Sequence, residues 1–262
     1  MRFLAVVLLA VFIADPAWSA VKGEPVQYKA GNTVMKGYLT YDDSLPGKRP
    51  GVLVVHEWWG HNEHARNAAR KLAEAGYVAL ALDMYGDGKT AAHPDDAGKF
   101  AGEVMKNFPL MRERFDAAYA FLTQQARVDA NRIAAIGYCF GGSTVLNMAR
   151  AGENLRGVVS FHGGLATQHP AQKGKVKAKV LVLNGAADPM VDSAQMQAFQ
   201  QEMKAADVNV KIVNYPGAKH GFTNPQATAL GQQFNLPIAY NEDADRKSWS
   251  EALAFLSRVL QS

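Results

Sequence analysis

The sequence contains a single cysteine, Cys139, among its 262 residues. One cysteine excludes the intrachain disulfide framework on which many small exported domains depend. In an oxidising compartment a lone thiol is either buried and inert or retained for its reactivity. The residues around Cys139 therefore have to indicate whether its thiol is inert or reactive.

The chain also lacks any run of like charge. Its 28 basic and 24 acidic residues leave a formal net charge of +4, and the basic residues are spread along the sequence without interleaved aromatic side chains. Nucleic-acid-binding modules need concentrated positive charge. We therefore expect no nucleic-acid partner.

Long apolar runs are missing except at the N-terminus. Residues 1–20, MRFLAVVLLAVFIADPAWSA, place Arg2 before an apolar stretch that Asp15 interrupts. The stretch is shorter than the roughly eighteen apolar residues of a membrane anchor. The order is typical of a secretory signal peptide that is cleaved after Ser19 or Ala20. The sequence thus predicts an exported protein, periplasmic or secreted, with no membrane span after removal of the signal.

The remaining residues, 21–262, predict a single α/β domain. Alternating apolar and polar residues on both sides of Gly31-Asn32 predict an N-terminal antiparallel hairpin. Short apolar runs then alternate with helical patterns, which favours a mostly parallel central sheet with helices on both faces. The predicted strands cover residues 51–56, 77–82, 132–137, 156–161, 179–184 and 208–215, and the predicted helices cover about 62–76, 110–126, 142–151, 193–206 and 243–260.

Two segments, 85–109 and 222–240, show no clear period. Long connections of this kind in a compact α/β domain often form lids or binding loops.

The stretch VHEWWGHNEH, residues 55–64, contains three histidines and two glutamates and raises the possibility of a zinc site. The zinc-protease pattern needs histidines four apart on a helix, but Gly60 stands where the second histidine would be. The stretch also begins at the end of a predicted strand. We therefore expect no metal ligand here.

The segment IGYCFGGS, residues 136–143, matches a nucleophile elbow with cysteine as the nucleophile. Gly137 and Gly141 lie where the tight strand-to-helix turn leaves no room for a side chain. Cys139 would lie at a helix N-terminus, where unpaired N–H groups favour a thiolate. The alternative is a buried structural cysteine beside a glycine turn.

A nucleophile elbow predicts an acid after a later strand and a histidine after the last one. Asp188 follows the strand VLVLN, with Asp192 as a competitor that also suits a helix N-cap, and His220 follows the strand VKIVNY. Cys139, His220 and Asp188 are therefore the candidate catalytic residues. His162, which has no comparable partner in the sequence, is not assigned a role.

These motifs resemble the dienelactone hydrolase family of α/β-hydrolases, which uses a cysteine, histidine and aspartate. The resemblance extends over about residues 25–262. It depends on five motifs in order: HEWWG at 56–60, LDMYG at 82–86, GYCFGG at 137–142, GAADPMV at 185–191 and AKHGF at 218–222.

The resemblance implies an α/β-hydrolase fold and a reaction that needs no metal or organic cofactor. It implies that Glu57 interacts with the nucleophile or its proton in the resting state. The backbone N–H groups of Trp58 and Phe140 would form the oxyanion hole. His56, His61 and His64 would then be bystanders or helix-surface residues.

The implied substrate is a small carboxylic ester or lactone. Family members that act on dienelactone hold its carboxylate with two arginines, but Asp87 and Asn224 stand at those positions here. The activity class is therefore predicted without a named substrate. A non-catalytic small-molecule-binding protein on the same scaffold is the alternative function. The candidate substrate-binding residues are Trp59, Phe222 and Tyr85.

Overall fold

A computed structural model describes residues 21–261. The predicted signal peptide, residues 1–20, lies outside the described residues. None of the helices that the structure describes is long and apolar enough to cross a bilayer.

In the part of the chain that the structure describes, eight strands form one sheet with the spatial order β1-β2-β4-β3-β5-β6-β7-β8. The strands are β1 (Val21–Ala30), β2 (Thr33–Asp42), β3 (Arg49–Val55), β4 (Val78–Leu82), β5 (Val128–Tyr138), β6 (Gly157–Phe161), β7 (Lys179–Gly185) and β8 (Val210–Tyr215).

Strands β3 to β8 run parallel, whereas β1, β2 and β4 pair antiparallel in that order. The β1–β2 hairpin turns at Gly31, whose φ is 52°, as the Gly31-Asn32 pair predicted. All six parallel strands were predicted to within a few residues. The largest difference is β5, which begins at Val128 because its first residues pair with Arg49 and Pro50 before a register shift at Gly51.

Within residues 21–261, seven helices connect and cover the strands. They are α1 (Glu63–Glu74), α2 (Pro94–Met105), α3 (Phe108–Thr123), α4 (Phe140–Ala151), α5 (Ser193–Ala205), α6 (Ala227–Phe234) and α7 (Glu242–Leu260). Asn62 caps α1 by accepting a hydrogen bond from the His64 amide, as the sequence predicted.

The sheet separates two apolar layers. Leu53 and Val55 of β3 pack with α3, α4 and α5, while Val52 and Val54 pack with α1 and α7. A strand that is buried on both faces needs apolar residues at every position, which explains the unbroken run in β3. The protein therefore has the predicted α/β-hydrolase fold.

Helix α4 packs within the layer that contains Leu53 and Val55, and residues 140–150 are all buried. Even the charged Arg150 is accommodated, because its guanidinium pairs with Glu202 at 2.8 Å and donates to the Leu165 carbonyl at 2.8 Å. A buried charge is tolerated only when it is paired in this way. The helix that follows Cys139 is thus fixed on every side.

The two segments without a sequence assignment each contain a helix. Helix α2 has Pro94 at its start and two acidic residues in its first turn, signals that the sequence analysis did not use. Gly98 and Gly102 weaken its helical pattern, and α6 has only eight residues. Both helices are therefore poorly marked in the sequence.

Candidate active site

Four predicted site residues follow the carboxyl ends of parallel strands. Glu57 follows β3, Cys139 follows β5, Asp188 follows β7 and His220 follows β8. The carboxyl ends of parallel strands meet at one edge of the sheet, which is where α/β proteins place their sites. The fold therefore gathers residues that are far apart in the sequence.

The turn at Cys139 has the strained geometry of an elbow. Cys139 has φ 53° and ψ −114°, is half-buried and precedes the first residue of α4. A Cβ atom on Gly137 would collide with the Gly141 carbonyl, and one on Gly141 would collide with the Val55 carbonyl. Glycine is therefore required at both positions for the turn to close.

His220 and Asp188 are directly bonded. The Nδ1 atom of His220 lies 2.9 Å from Oδ2 of Asp188, and both side chains are almost fully buried. The second carboxylate oxygen of Asp188 accepts a hydrogen bond from the Met190 amide at 2.8 Å. Asp192 instead caps α5 by accepting from the Gln195 amide at 2.8 Å. The imidazole partner is thus Asp188.

The electrostatics of His220 favour its cationic form. Burial alone would lower the pKa of His220, but the negative charge of a Cys139 thiolate and the hydrogen bond with Asp188 outweigh it and raise that pKa to about 10. These interactions therefore favour a positive charge on His220.

Glu57 lies in a buried polar contact. Its side chain is 4% exposed, and Oε2 accepts a hydrogen bond from Nδ2 of Asn224 at 2.6 Å. The Nδ1 atom of His64 lies 3.9 Å from the same oxygen. Asn224, which stands where the family resemblance places an arginine, thus contacts Glu57 directly.

His64 lies on helix α1, partly buried, and makes contacts that the sequence did not indicate. Its Nε2 atom lies 3.2 Å from the Thr223 carbonyl, and its ring packs edge-on against Tyr138. Helix α1 places His64 between Glu57 and the loop that carries His220. The contact with Thr223 could not be predicted from neighbouring residues, because it joins positions 159 residues apart.

His162 is a second residue that the sequence analysis did not assign. It follows β6, is fully buried and accepts a hydrogen bond at Nδ1 from the Cys139 amide at 3.2 Å. Its ring centroid lies 5.2 Å from that of His220. The His-Gly-Gly sequence at 162–164, directly after a strand, is the signal that could have identified it.

The predicted aromatic residues are more buried than a substrate-binding surface requires. Trp59 and Tyr85 are 5% and 2% exposed, and Tyr85 donates a 2.9 Å hydrogen bond to the Trp58 carbonyl. Phe222 is 0% exposed and packs between Tyr215 and His162. The prediction that Phe222 binds substrate was therefore wrong for this conformation, because it lies in the core behind His220.

The loop after β4 is organised by Asp83, a residue that the sequence analysis passed over within LDMYG. Its buried carboxylate accepts hydrogen bonds from the amides of Tyr85, Gly86 and Gly88 at 2.8 to 2.9 Å. Asp87 is exposed at φ 56°, and its amide donates to the Val34 carbonyl. Neither Asp87 nor Asn224 presents a cation to a substrate.

The histidines at 56 and 61 are held as neutral rings. Nδ1 of His56 lies 2.6 Å from the Glu57 carbonyl, and Nε2 accepts from the Met84 amide. Burial lowers the pKa of His56 and lowers that of His61 to about 3. Within residues 21–261, no group of three or more potential ligands is placed to hold a metal ion.

Comparison with known proteins identifies the family. The sequence profile of the dienelactone hydrolase family matches residues 35–260. A putative carboxymethylenebutenolidase of Methylorubrum extorquens is 30% identical over 186 residues, which cover 67% of this chain and 64% of that protein. A probable 2-oxo-3-(5-oxofuran-2-ylidene)propanoate lactonase of Bradyrhizobium is 28% identical and covers 81% of this chain and 85% of that protein.

Solved structures agree with the sequence comparison. A dienelactone hydrolase-like promiscuous phosphotriesterase from metagenomic libraries superimposes with a TM-score of 0.85 at 35% identity, covering 92% of this chain and 99% of that one. The five motifs, the order of the strands and the match over residues 35–260 point to one conclusion. The chain belongs to the dienelactone hydrolase family.

Proposed function

We propose that this protein is a hydrolase of small carboxylic esters or lactones in which Cys139 is the nucleophile, His220 the general base and acid, and Asp188 the residue that orients His220. The observation that supports this most strongly is the 2.9 Å bond between His220 Nδ1 and Asp188, at the sheet edge where the elbow carries Cys139. Family membership supports the same class of reaction.

The first half of the reaction forms an acyl-enzyme. The Cys139 thiolate, paired with the His220 imidazolium, attacks the substrate carbonyl carbon and gives a tetrahedral oxyanion. Collapse of this intermediate breaks the carbon–oxygen bond, and His220 donates its proton to the departing alkoxide. In a lactone, the ring opens and the alcohol stays attached to the acyl group.

The second half releases the acid. His220, now neutral, takes a proton from water as the water attacks the thioester, and the Cys139 thiolate departs with the imidazolium restored. Asp188 fixes the tautomer of His220 and stabilises its charge in both halves.

The backbone N–H groups of Phe140 and Trp58 are the proposed oxyanion hole. Phe140 is the first residue of α4, where an N–H has no partner within the helix. Trp58 follows β3, the strand whose loop supplies the second donor in this fold. The Tyr85 hydroxyl bonds the Trp58 carbonyl and so helps to fix this peptide.

Glu57 is proposed to interact with the Cys139 nucleophile or its proton in the resting state. Its buried carboxylate lies beside the elbow because β3 and β5 are adjacent strands. The neutral Asn224 amide stabilises this carboxylate without neutralising its charge.

The substrate class that fits best is an ester or lactone without a free carboxylate next to the reacting ring. Asp87 would repel such a carboxylate, and the Asn224 amide is already bonded to Glu57. Trp59 and Tyr85 contribute apolar packing under this surface rather than exposed contact area.

The experiment is hydrolysis of p-nitrophenyl acetate, a neutral enol-lactone and an acidic enol-lactone, with and without one equivalent of iodoacetamide. Cys139 is the only cysteine, so alkylation modifies one known atom. Loss of turnover after alkylation and preference for the neutral lactone are expected. Full turnover by the alkylated protein, or by Cys139→Ala, would exclude the thiol mechanism.

We further propose that the protein is exported and acts in the periplasm or outside the cell, because residues 1–20 have the order of a signal peptide. Cell fractionation with N-terminal sequencing tests this. Mature protein that begins after Ser19 or Ala20 is expected, and an uncleaved cytoplasmic chain would contradict the proposal.

A further inference from the structure

His162 adopts a backbone conformation that few residues other than glycine tolerate. It has φ 41°, directly after β6, and its side chain is fully buried. Its own amide donates to the Leu183 carbonyl at 2.8 Å. A strained, buried and polar residue next to a reactive site is usually held there by a function.

The hydrogen bonds of His162 fix its tautomer. Its Nδ1 atom lies 3.2 Å from the Cys139 backbone nitrogen, which can only donate. Nδ1 is therefore unprotonated, and a neutral ring must carry its proton on Nε2. Nε2 lies 2.8 Å from the Thr223 hydroxyl oxygen, to which it donates.

These two bonds join the nucleophile to the loop of the catalytic base. Cys139 is held through its own backbone, and Thr223 lies three residues after His220. The Thr223 carbonyl is also held, at 3.2 Å from Nε2 of His64. The Cys139 amide also donates to the Phe161 carbonyl at 3.0 Å, so what the His162 ring adds is a direct link from the elbow to the His220 loop.

We infer that His162 is a positioning residue whose ring, bonded to the Cys139 amide on one side and to the Thr223 hydroxyl on the other, sets the separation between the Cys139 thiol and the His220 imidazole. This inference rests on the proposed thiol mechanism. We call His162 with these two bonds the His162 brace.

The charges around His162 are compatible with this role. Burial, together with the neighbouring charges of His220 and His64, holds the pKa of His162 well below its usual range. The ring therefore stays neutral while the adjacent His220 is cationic. A proton on Nδ1 would break the bond to the Cys139 amide, so neutrality is a condition of the brace.

The test removes the hydrogen bond between His162 and Thr223 by changing either residue. Thr223→Val keeps the shape of the side chain and removes the acceptor, while Thr223→Ser keeps the hydroxyl. His162→Asn retains an acceptor near the position of Nδ1, tolerates the left-handed backbone and cannot reach Thr223. Thr123→Val, at the end of α3, is the matched control for a threonine outside the site.

Two quantities are measured for each folded variant. The first is kcat and KM on p-nitrophenyl acetate, and the second is the rate of Cys139 alkylation by iodoacetamide against pH, which needs no substrate. Thr223→Val and His162→Asn are each expected to lower kcat about tenfold with KM nearly unchanged, because small misplacements of catalytic groups have effects of this size. The midpoint of the alkylation profile is expected to move to higher pH.

Thr223→Ser and Thr123→Val are expected to match the wild type. The double variant of His162 and Thr223 is expected to lose no more than either single variant, because both remove one shared link. Single variants that keep kcat and the alkylation profile, or effects that multiply in the double variant, would overturn the brace. Wild-type turnover that survives loss of the Cys139 thiol would instead refute the proposed function.

Discussion

Asn224 donates a 2.6 Å hydrogen bond to the Glu57 carboxylate although 167 residues separate the two positions. Both side chains are buried, so this amide is the polar group that compensates for the lost hydration of Glu57. The backbone amide of Gln226 in turn donates to the carbonyl oxygen of the Asn224 side chain at 2.9 Å. That bond fixes which end of the amide faces Glu57.

Replacement of Asn224 is expected to impair both stability and catalysis. Asn224→Ala leaves the Glu57 carboxylate without this donor, which costs about 1 to 3 kcal/mol of unfolding free energy. Asn224→Asp should be worse, because it sets two buried carboxylates side by side. Urea unfolding and kcat/KM measure the effects, with the exposed Asn67→Ala as control. Equal activity in all three variants would show that Glu57 does not need this contact.

Asp188→Asn is expected to lower kcat/KM by at least about a hundredfold, because an amide no longer selects the tautomer of His220 or stabilises its charge. Asp192→Asn is the matched control, since Asp192 caps α5 four residues away. Asparagine is also a good N-cap, so this control should retain stability and activity. A similar loss in both variants would argue against a specific role for Asp188.

The raised pKa of His220 predicts how stability depends on pH. The folded state keeps the imidazole proton up to about pH 10, whereas an unfolded chain releases it near the ordinary value of 6.5. The protonated His220 therefore contributes fully to the free energy of unfolding below pH 6.5, and this stabilisation is lost as the pH rises through 10.

Unfolding free energies of wild type and His220→Gln, measured from pH 6 to 10, test this dependence. The advantage of the wild type is expected to shrink as the pH rises. The exposed His93→Gln should follow the wild-type curve in parallel. A difference between wild type and His220→Gln that stays constant with pH would be inconsistent with the raised pKa.

Gly141→Ala is expected to destabilise the protein strongly and to abolish activity, since its Cβ would overlap the Val55 carbonyl. Gly98→Ala in α2 is the contrasting change. Gly98 has open space around its Cα, so alanine there should stabilise the helix by about 0.5 to 1 kcal/mol. Thermal melting of both variants measures this, and a tolerated Gly141→Ala would show that the elbow can relax.

The sequence was sufficient wherever the signal is local. Neighbouring residues alone indicate the Asn62 cap of α1 and the glycines of the elbow. Strand ends indicate the order of Cys139, Asp188 and His220 after their strands. The strands of the sheet are predicted by runs of residues that are apolar at every position, as in β3.

The sequence was insufficient where a side chain is placed by distant contacts. Nothing near His64 or His162 indicates that both reach Thr223. Phe222 was misjudged because Gly221, at φ 70°, turns the chain so that the next side chain enters the core. The backbone direction at Gly221 places the Phe222 side chain in the core, and the residue type of Phe222 alone does not predict that placement.

The enclosure of α4 divides the site into a fixed half and an adjustable half. A helix whose residues 140–150 are all buried cannot move Cys139 as a rigid unit without opening voids in the apolar layer that it shares with α3 and α5. Accommodation of differently shaped esters must then come from α2, α6 and the loops that carry them, which contribute few residues to the core. Related enzymes can thus change what they accept by altering these two short helices while the nucleophile stays where it is.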